Sequence, residues 1–280
     1  MGRRHGRCAQ PTSVARWHAQ VFAHAIQLAQ KRTERVLGNL LSKAEKNKKG
    51  SIVNEQTYLV TGAASGLGKA IVEALNAQCV PGRSVLAFDK EYGNDVRDPG
   101  LFCSHDLDVL INCAGVNRTG WLENMEEKVW DEVMDVNAKG IFMMTKWALP
   151  ALARSGGTVL NIVSNASHMP MTCSSAYNAS KGAAHILTLQ MARELTKKYG
   201  ITVFGISPNK LSGTQMSRDI ESQVLVDRGW TPEFAAQYQR NALLCGEETN
   251  PVVLAEFVAY LLHTKQRHKY LSGCVLPYGA

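Results

Sequence analysis

The chain of 280 residues is 45% hydrophobic and 20% charged, which is typical of a globular protein rather than a disordered or fibrous one. Its formal net charge of +7 is unevenly placed, because residues 1–50 hold eleven Lys and Arg against two acids, or +9. Residues 51–280 therefore hold 20 basic and 22 acidic side chains, or −2, which argues against a protein that binds nucleic acid through its whole surface.

Two further classes of protein are disfavoured by composition. No run of eighteen apolar residues occurs, so we expect no membrane span. The seven cysteines are scattered, without a CxxC pair or a cysteine–histidine cluster at metal-ligand spacing. We therefore predict no metal site, reduced thiols and a cytoplasmic protein.

Residues 1–50 are predicted to form a basic, helical N-terminal extension that ends in a polar linker. Apolar residues recur at helical spacing between residues 14 and 44, after a possible cap at Ser13. An extra helix that packs on the body or on a partner subunit is the interpretation we favour. The alternatives are an organellar import signal, because the first acid is Glu34, or an over-extended gene start.

The body, residues 51–280, begins with a strand over residues 57–60, a glycine-rich turn and a helix over residues 67–77. The turn reads TGAASGLG over residues 61–68. Strand, glycine turn and helix is the geometry that places a pyrophosphate on a helix N-terminus, where free N–H groups and the helix dipole favour an anion. We expect the glycines to be needed for tight turning and close approach of the phosphates.

A second predicted strand, residues 84–88, ends on Asp89. An acidic residue at this distance from the glycines can bind the two ribose hydroxyls of adenosine, and its carboxylate would repel a 2′-phosphate. The implied cofactor is therefore NAD, with NADP less favoured, although Lys90 beside it weakens the preference. A turn-forming aspartate at a strand end is the alternative interpretation.

Strands and helices continue to alternate to the end of the chain. Apolar strands are predicted over residues 108–112, 158–163, 201–206 and 274–276, and helices over residues 126–151, 177–199 and 252–262. Residues 211–241 read as a polar, mobile stretch with a helix beginning at Thr231 and Pro232. The predicted fold is α/β, with a single doubly wound parallel sheet of the Rossmann-like kind.

Five motifs, in order, resemble the short-chain dehydrogenase/reductase family of the classical type. They are the glycine turn, NCAG at residues 112–115, Asn137, Ser164, and YNASK at residues 177–181, with Ser164 thirteen residues before Tyr177. The resemblance covers residues 56–279. It implies an NAD(P)-dependent oxidoreductase acting on a small secondary alcohol or ketone, and a homotetramer or homodimer built on the helices that contain Asn137 and Tyr177.

The resemblance also implies site residues. The catalytic set is Ser164, Tyr177, Lys181 and Asn137. The cofactor-binding set is Gly62, Ser65, Gly66, Leu67, Gly68, Asp89, Asp95, Val96, Asn112, Ala114, Gly115, Tyr177, Lys181, Pro208 and Leu211. His168 and Cys173 are candidates for the substrate pocket, and the stretch 211–241 is expected to select the substrate.

The chemistry of Tyr177 follows from its neighbours. Tyr177 and Lys181 are four residues apart and share one face of the predicted helix. A free tyrosine has a pKa of about 10, and opposite charges at close range lower a pKa by about 1–3 units. Lys181 and an oxidised nicotinamide would therefore move the pKa of Tyr177 toward the range of general acid–base catalysis, while Ser164 would hold the substrate oxygen.

Two departures from the family pattern stand out. Asn112 follows Asp89 by only 23 positions, about half the usual interval. Helices that cover one face of the sheet must therefore be missing or reduced, unless the N-terminal helix over residues 14–41 fills the gap. Asn209 follows Pro208 where glycine is usual, and Ser212 or Thr214 must serve the cofactor, if either does. These departures motivate one rival function, a catalytically weak dinucleotide-binding sensor or scaffold. The basic N-terminal segment motivates another, a nucleic-acid-associated protein.

Overall fold

A computed structural model describes residues 56–100, 106–263 and 268–279, and within them one six-stranded sheet in which every neighbouring pair is parallel. The strands are β1 (Gln56–Thr61), β2 (Arg83–Phe88), β3 (Val109–Asn112), β4 (Thr158–Ile162), β5 (Thr202–Pro208) and β6 (Val275–Tyr278). Their order across the sheet is β2-β1-β3-β4-β5-β6. The predicted Rossmann-like α/β fold is confirmed.

Seven α-helices connect these strands in the described part of the chain. They are α1 (Gly66–Ala77), α2 (Glu127–Met134), α3 (Gly140–Ser155), α4 (Ser175–Tyr199), α5 (Gln215–Arg228), α6 (Pro232–Ala242) and α7 (Pro251–Leu262). Strands β3, β4 and β5 are buried along their whole length, as their largely apolar sequences predict for parallel strands covered on both faces.

The two faces of the sheet carry separate cores because successive side chains of a strand point to opposite sides. Tyr58 and Val60 of β1 pack with the apolar residues of α1 and α7. Leu59, between them, packs on the other face with α3 and α4. This arrangement leaves the carboxyl ends of the strands as the edge where loops can build a site.

That edge contains a topological switch point. After β1 the chain moves outward to β2, then returns to place β3 on the opposite side of β1. In an open α/β sheet the loops that leave two such strands diverge, and the crevice between them is where ligands bind. The glycine turn follows β1 and residues 112–115 close β3, so both motifs lie at this crevice.

The helix predicted over residues 126–151 is interrupted. A π-helical turn, Asp135–Lys139, separates α2 from α3, and it contains Asn137. Helical periodicity alone does not reveal such a turn, because the apolar spacing changes by one residue only. Single π turns inside helices occur frequently at functional sites, which draws attention to Asn137.

The polar stretch over residues 211–241 contains the helix predicted from Thr231 and, before it, α5, which the sequence did not predict. Thr214 begins α5 and Thr231 begins α6, each accepting a hydrogen bond from a backbone N–H three residues later, and Pro232 occupies the first turn of α6 as predicted. Both helices lie on the surface, with only Ser217 buried in α5 and no residue buried in α6. The apolar stripe used to recognise helices is therefore weak here.

The short interval between β2 and β3 leaves β2 at the edge of the sheet. Within the described residues, β2 pairs with β1 alone, and the connection contains a single helical turn, Lys90–Tyr92. The predicted N-terminal helix over residues 14–41 lies outside the described residues. Among the helices that the structure describes, none combines the length and the apolar character needed to cross a membrane.

Candidate active site

The glycine turn after β1 is closed by contacts that exclude side chains at two positions. Gly62 has a φ of +69°, and a Cβ on it would lie 2.7 Å from the Cα of Ala114. A Cβ on Gly68 would lie 2.0 Å from the carbonyl oxygen of Gly62. The turn therefore packs against the residues that follow β3 and folds tightly over the start of α1.

The N-terminus of α1 is arranged to receive an anion. Ser65 precedes it in an extended conformation, and within the described chain the Ser65 side chain makes no capping hydrogen bond and the first turn has no acidic residue. Gly66 has a φ of +51°, and the atom nearest to a Cβ on it would be Thr214 Cγ2 at 3.7 Å. Uncapped N–H groups, a helix dipole and this open approach fit a phosphate group.

Thr214 lies beside the glycine turn, with its Cγ2 methyl 3.7 Å from the position of a Cβ on Gly66. The Thr214 hydroxyl caps α5 by accepting the N–H of Ser217 at 3.1 Å. The Ser212 hydroxyl instead donates to the carbonyl of Thr249. Of these two residues, Thr214 is therefore the one with a contact to the glycine turn.

Asp89 lies at the end of β2 and contacts the glycine turn directly. One carboxylate oxygen accepts the N–H of Ala64 at 3.0 Å, and the other accepts the N–H of Glu91 at 3.0 Å. Each carboxylate oxygen can accept more than one hydrogen bond, so both remain able to accept from a ribose hydroxyl. The position fits the adenosine end of a dinucleotide.

Thr61, the first residue of the glycine-turn motif and not among the predicted site residues, joins strands β1 and β3 at their carboxyl ends. The Thr61 hydroxyl accepts the N–H groups of Cys113 and Ala114 at 3.0 and 3.1 Å. Asn112 points into the sheet, where its amide donates to Asn161 at 2.8 Å and to Thr145 at 3.3 Å. Asn112 therefore fixes strand and helix positions, and Ala114 approaches the glycine turn.

Asn137 is fully buried and links three elements of the site. Its Oδ1 accepts the N–H of Val116 at 2.8 Å, and its Nδ2 donates to the Val116 carbonyl at 2.8 Å and to the Ser180 hydroxyl at 3.0 Å. A Cβ on Gly115 would lie 3.3 Å from Asn137 Oδ1 and 3.8 Å from Lys181 Nζ. The structure thus brings Gly115, Asn137 and Lys181 together.

Ser164 and Tyr177 meet across the space between β4 and α4. Ser164 follows β4, and its hydroxyl accepts the N–H of Ala166 at 3.2 Å. Burial raises the pKa of Tyr177 above its usual value of 10, and a hydrogen bond with Ser164 works in the opposite direction. The sequence predicted a lowered pKa. The protein alone gives the opposite net direction because desolvation of the phenolate outweighs the Ser164 contact.

Lys181 lies one helical turn beyond Tyr177 and is 6% exposed. Its Nζ donates to the Ile162 carbonyl at 3.1 Å and lies 5.8 Å from the centre of the Tyr177 ring. Burial lowers the pKa of Lys181 to about 8, partly offset by the thiol of Cys113. Burial likewise raises the pKa of Cys113 to about 12, partly offset by Lys181.

The other predicted residues lie farther along the same edge or point elsewhere. Asp95 forms a bidentate ion pair with Arg97, and the buried Val96 packs in the core beside Gly140. Pro208 ends β5, and Leu211 pairs with Thr249. His168 is exposed, whereas Cys173 is buried with a φ of +62° just before α4. In the described residues, no three His, Cys, Asp or Glu side chains group as metal ligands do.

The end of α5 is tied to two loops at the mouth of the site. The Asp227 carboxylate accepts from the Thr119 hydroxyl at 2.6 Å, and its carbonyl accepts from Trp121 Nε1 at 2.7 Å. Arg228 donates to the carbonyl of Thr172. The first loop follows β3 and the second precedes α4, so α5 covers the crevice between them.

Comparison with known proteins identifies the family. A sequence profile described as short chain dehydrogenase matches residues 103–225. The NAD-dependent glycerol dehydrogenase of Listeria innocua is 30% identical over 216 residues, which cover 66% of this chain and 85% of that protein. The chain belongs to the short-chain dehydrogenase family.

Other similar proteins support the same family assignment. A Xanthobacter autotrophicus protein named inactive 2-(S)-hydroxypropyl-CoM dehydrogenase 2 is 33% identical over 170 residues, covering 60% of this chain and 70% of that protein. A solved structure of a candidate 2-deoxy-D-gluconate 3-dehydrogenase from Agrobacterium tumefaciens, with bound NADP, has a TM-score of 0.68 at 26% identity. The match covers 80% of this chain and 95% of that one. The predicted short-chain dehydrogenase family is confirmed.

Proposed function

We propose that this short-chain dehydrogenase interconverts a secondary alcohol and a ketone with a nicotinamide cofactor, NAD in preference to NADP. The observation that carries the proposal is the arrangement of Ser164, Tyr177 and Lys181 beside the Asn137 turn and across from the glycine turn. At one point, the Tyr177 hydroxyl provides a proton donor or acceptor, the Ser164 hydroxyl a hydrogen-bond donor, and the buried Lys181 a positive charge.

Tyr177 is the proposed acid and base. In reduction, its neutral phenol, which burial favours, donates a proton to the substrate oxygen. In oxidation, it accepts that proton, and the Lys181 ammonium near its ring favours the tyrosinate. The Ser164 hydroxyl donates a hydrogen bond to the same substrate oxygen and holds it beside Tyr177.

Asn137 is proposed to act through its backbone. Its side-chain amide is already bonded to Val116 and Ser180. A π-helical turn disturbs the regular pattern of backbone hydrogen bonds, so we assign the proton path between Lys181 and solvent to a water held by the backbone of this turn.

The residues present fit a nicotinamide dinucleotide. Backbone N–H groups of Ser65, Gly66 and Leu67 would hold the pyrophosphate, with Thr214 beside them, and Lys181 would hold the nicotinamide ribose. When bound, the cofactor would accept or supply the hydride. Asp89 supports NAD, because a carboxylate at the ribose hydroxyls repels a 2′-phosphate.

The proposal is tested by calorimetric titration of the protein with NADH and with NADPH. Tight binding of NADH and weak binding of NADPH support both the glycine turn and Asp89 as the cofactor site. A preference for NADPH would contradict the role given to Asp89. Binding of neither nucleotide would contradict the proposed function as a whole.

A homotetramer or homodimer built on α3 and α4 is part of the proposal. Phe142 on α3 is 43% exposed and Ile186 on α4 is 64% exposed, so each helix presents a large apolar side chain that such a contact would bury. Sedimentation of the wild type and of the Ile186→Lys variant tests this expectation. A monomeric wild type would contradict it.

A second candidate function is a dinucleotide-binding sensor or scaffold with weak catalysis. The short connection between β2 and β3 and the raised pKa of Tyr177 favour it. One relative carries a name that describes it as inactive. Tight NADH binding without turnover of any alcohol or ketone in a broad panel would support this second candidate over the first.

A further inference from the structure

Both polar atoms of the Asn178 side chain form hydrogen bonds with one turn of the backbone. This turn, residues 164–171, follows β4 and is called the Ser164 turn below. Asn178 Nδ2 donates to the carbonyls of Ala166 and Met169 at 2.6 and 2.8 Å. Asn178 Oδ1 accepts the N–H of Met171 at 3.4 Å. One side chain on α4 thus holds three points of the turn that begins with Ser164.

The chemistry of these contacts requires a carboxamide. Two backbone carbonyls need two donors, and the N–H of Met171 needs an acceptor on the same short side chain. Only an amide offers two N–H donors and a carbonyl together. Aspartate keeps the acceptor but loses both donors, and alanine loses all three contacts.

Ala166 connects Asn178 to the hydroxyl of Ser164. The Ala166 N–H donates to Ser164 Oγ at 3.2 Å, while the Ala166 carbonyl accepts from Asn178. Asn178 therefore fixes the position of Ala166, and the Ala166 N–H in turn orients the Ser164 hydroxyl. Asn178 is also the residue after Tyr177, so the same backbone positions both partners of the Ser164–Tyr177 contact.

The Ser164 turn has two further ties that keep it folded. Ser207 at the end of β5 donates to Asn165 Oδ1 at 3.1 Å. The Ser167 hydroxyl lies 3.2 Å from His185 Nδ1 on α4. These contacts are made by other residues, so loss of Asn178 is expected to shift the turn without detaching it.

We propose that Asn178 is a positioning residue that holds the Ser164 hydroxyl in reach of the Tyr177 phenol. Its catalytic consequence rests on the proposed function, in which both hydroxyls contact the substrate oxygen. Without Asn178, the carbonyls of Ala166 and Met169 lose their donor and the turn relaxes. The Ser164 hydroxyl then leaves Tyr177.

The test is a double-mutant cycle between Asn178 and Ser164, read at the phenol of Tyr177. The protein is labelled with 3-fluorotyrosine, whose phenol is more acidic than that of tyrosine, and the ¹⁹F signal lost in Tyr177→Phe identifies residue 177. Its pKa is measured in the wild type, Asn178→Ala, Ser164→Ala and the double variant. We expect both single variants to raise the pKa and the double variant to raise it no further, because both remove the same contact.

Three further measurements complete the test. If Asn178→Ala fails to fold, Asn178→Asp replaces it, because aspartate has nearly the same shape as asparagine. The added charge of the aspartate changes the Tyr177 pKa equally with Ser164 and with Ser164→Ala, so its effect cancels in the cycle. Gln190→Ala, on the exposed face of α4 where Gln190 bonds only to Glu194 among described partners, is the matched control and should leave the pKa unchanged. With an alcohol that the wild type turns over, Asn178→Ala should lower kcat about tenfold or more and change KM little.

Two results would overturn the proposal: an unchanged Tyr177 pKa in Asn178→Ala, or effects of the Asn178 substitution and of Ser164→Ala that add in the double variant. The cycle needs no substrate, so it stands apart from the proposed function. Coupled pKa values without turnover would overturn only the proposed function. Turnover that depends on Tyr177, with no coupling, would overturn only the role of Asn178.

Discussion

A Cβ on Gly68 would lie 2.0 Å from the carbonyl oxygen of Gly62, closer than any side chain tolerates. This contact links the first and last glycines of the turn, so the sharpness of the turn and the close packing of α1 against it depend on each other. The path of the backbone that carries the proposed pyrophosphate site follows from the absence of a side chain at residue 68.

Gly68→Ala is expected to displace the turn from α1. Overpacking of this kind costs about 1–3 kcal/mol of folding free energy, which urea unfolding measures. NADH binding should weaken at least about tenfold, since the N–H groups lose their alignment.

The matched control is Gly182→Ala on α4. The nearest atom to a Cβ there is 3.7 Å away, so this change should leave stability equal or higher by about 0.5–1 kcal/mol. Equal stability of Gly68→Ala and wild type would contradict the account of the turn.

Asn209 explains one departure from the family pattern. Its Oδ1 accepts the N–H of Thr249 at 3.1 Å and the Thr249 hydroxyl at 2.5 Å, and its Nδ2 donates to the Gly279 carbonyl. The side chain thus fastens the end of β5 to the segment before α7 and to the end of β6. A glycine at this position would remove these contacts from the Thr249 hydroxyl and the Gly279 carbonyl, whereas the Thr249 N–H would keep its bond to the Lys210 carbonyl at 2.9 Å.

Asn209→Gly, which restores the residue usual in the family, is therefore expected to destabilise the protein. Loss of buried hydrogen-bond partners costs about 1–3 kcal/mol. Thermal unfolding measures the loss, and Asn241→Gly, near the end of α6 on the surface, serves as a control for the effect of glycine itself. A gain in stability in Asn209→Gly would contradict the structural role given to this side chain.

The sequence predicts the parts of this molecule that depend on local pattern. Apolar runs identified β1 and β3–β5, and the glycine turn predicted the strand–turn–helix unit and its tight contacts. Helix α5 was missed because it buries a single residue and so has a weak apolar stripe. The π turn at Asn137 was missed because one extra residue in a turn barely alters helical spacing.

Long-range contacts explain the remaining differences at the site. The pKa of Tyr177 was predicted from two positive charges, Lys181 and an oxidised nicotinamide, whereas burial, which the sequence does not reveal, decides its direction in the protein alone. Asn178 was read only as part of a motif, because its partners lie 7 to 12 residues earlier in the chain. The contacts of Thr61 with the N–H groups after β3, and of Thr214 with Gly66, depend on how β1, β3 and α5 meet, which the sequence does not show.

The buried amine of Lys181 predicts a dependence of stability on pH. Its pKa is about 8 in the folded protein and 10.5 when unperturbed, so between these values the unfolded chain binds more protons. Stability contributed by this group therefore rises as pH rises through this window. The rise amounts to about 1 kcal/mol between pH 7 and pH 9.

Lys181→Met is expected to lack this rise. Urea unfolding at pH 7 and pH 9 should show the free energy of the wild type increasing relative to that of the variant by about 1 kcal/mol. Lys197→Met, which changes an exposed lysine on the last turn of α4, should follow the wild type at both values. Parallel behaviour of the wild type and Lys181→Met would contradict the lowered pKa of Lys181.

The most direct test of the central claim is turnover by Tyr177→Phe. The wild type and the variant are assayed for NAD⁺ reduction at 340 nm with a panel of secondary alcohols, and their affinity for NADH is measured in parallel. We predict turnover of at least one alcohol by the wild type and a loss of about 100-fold or more in kcat for Tyr177→Phe, with NADH affinity nearly unchanged. Full turnover by Tyr177→Phe would contradict the account, because no other group at this site is assigned the proton transfer.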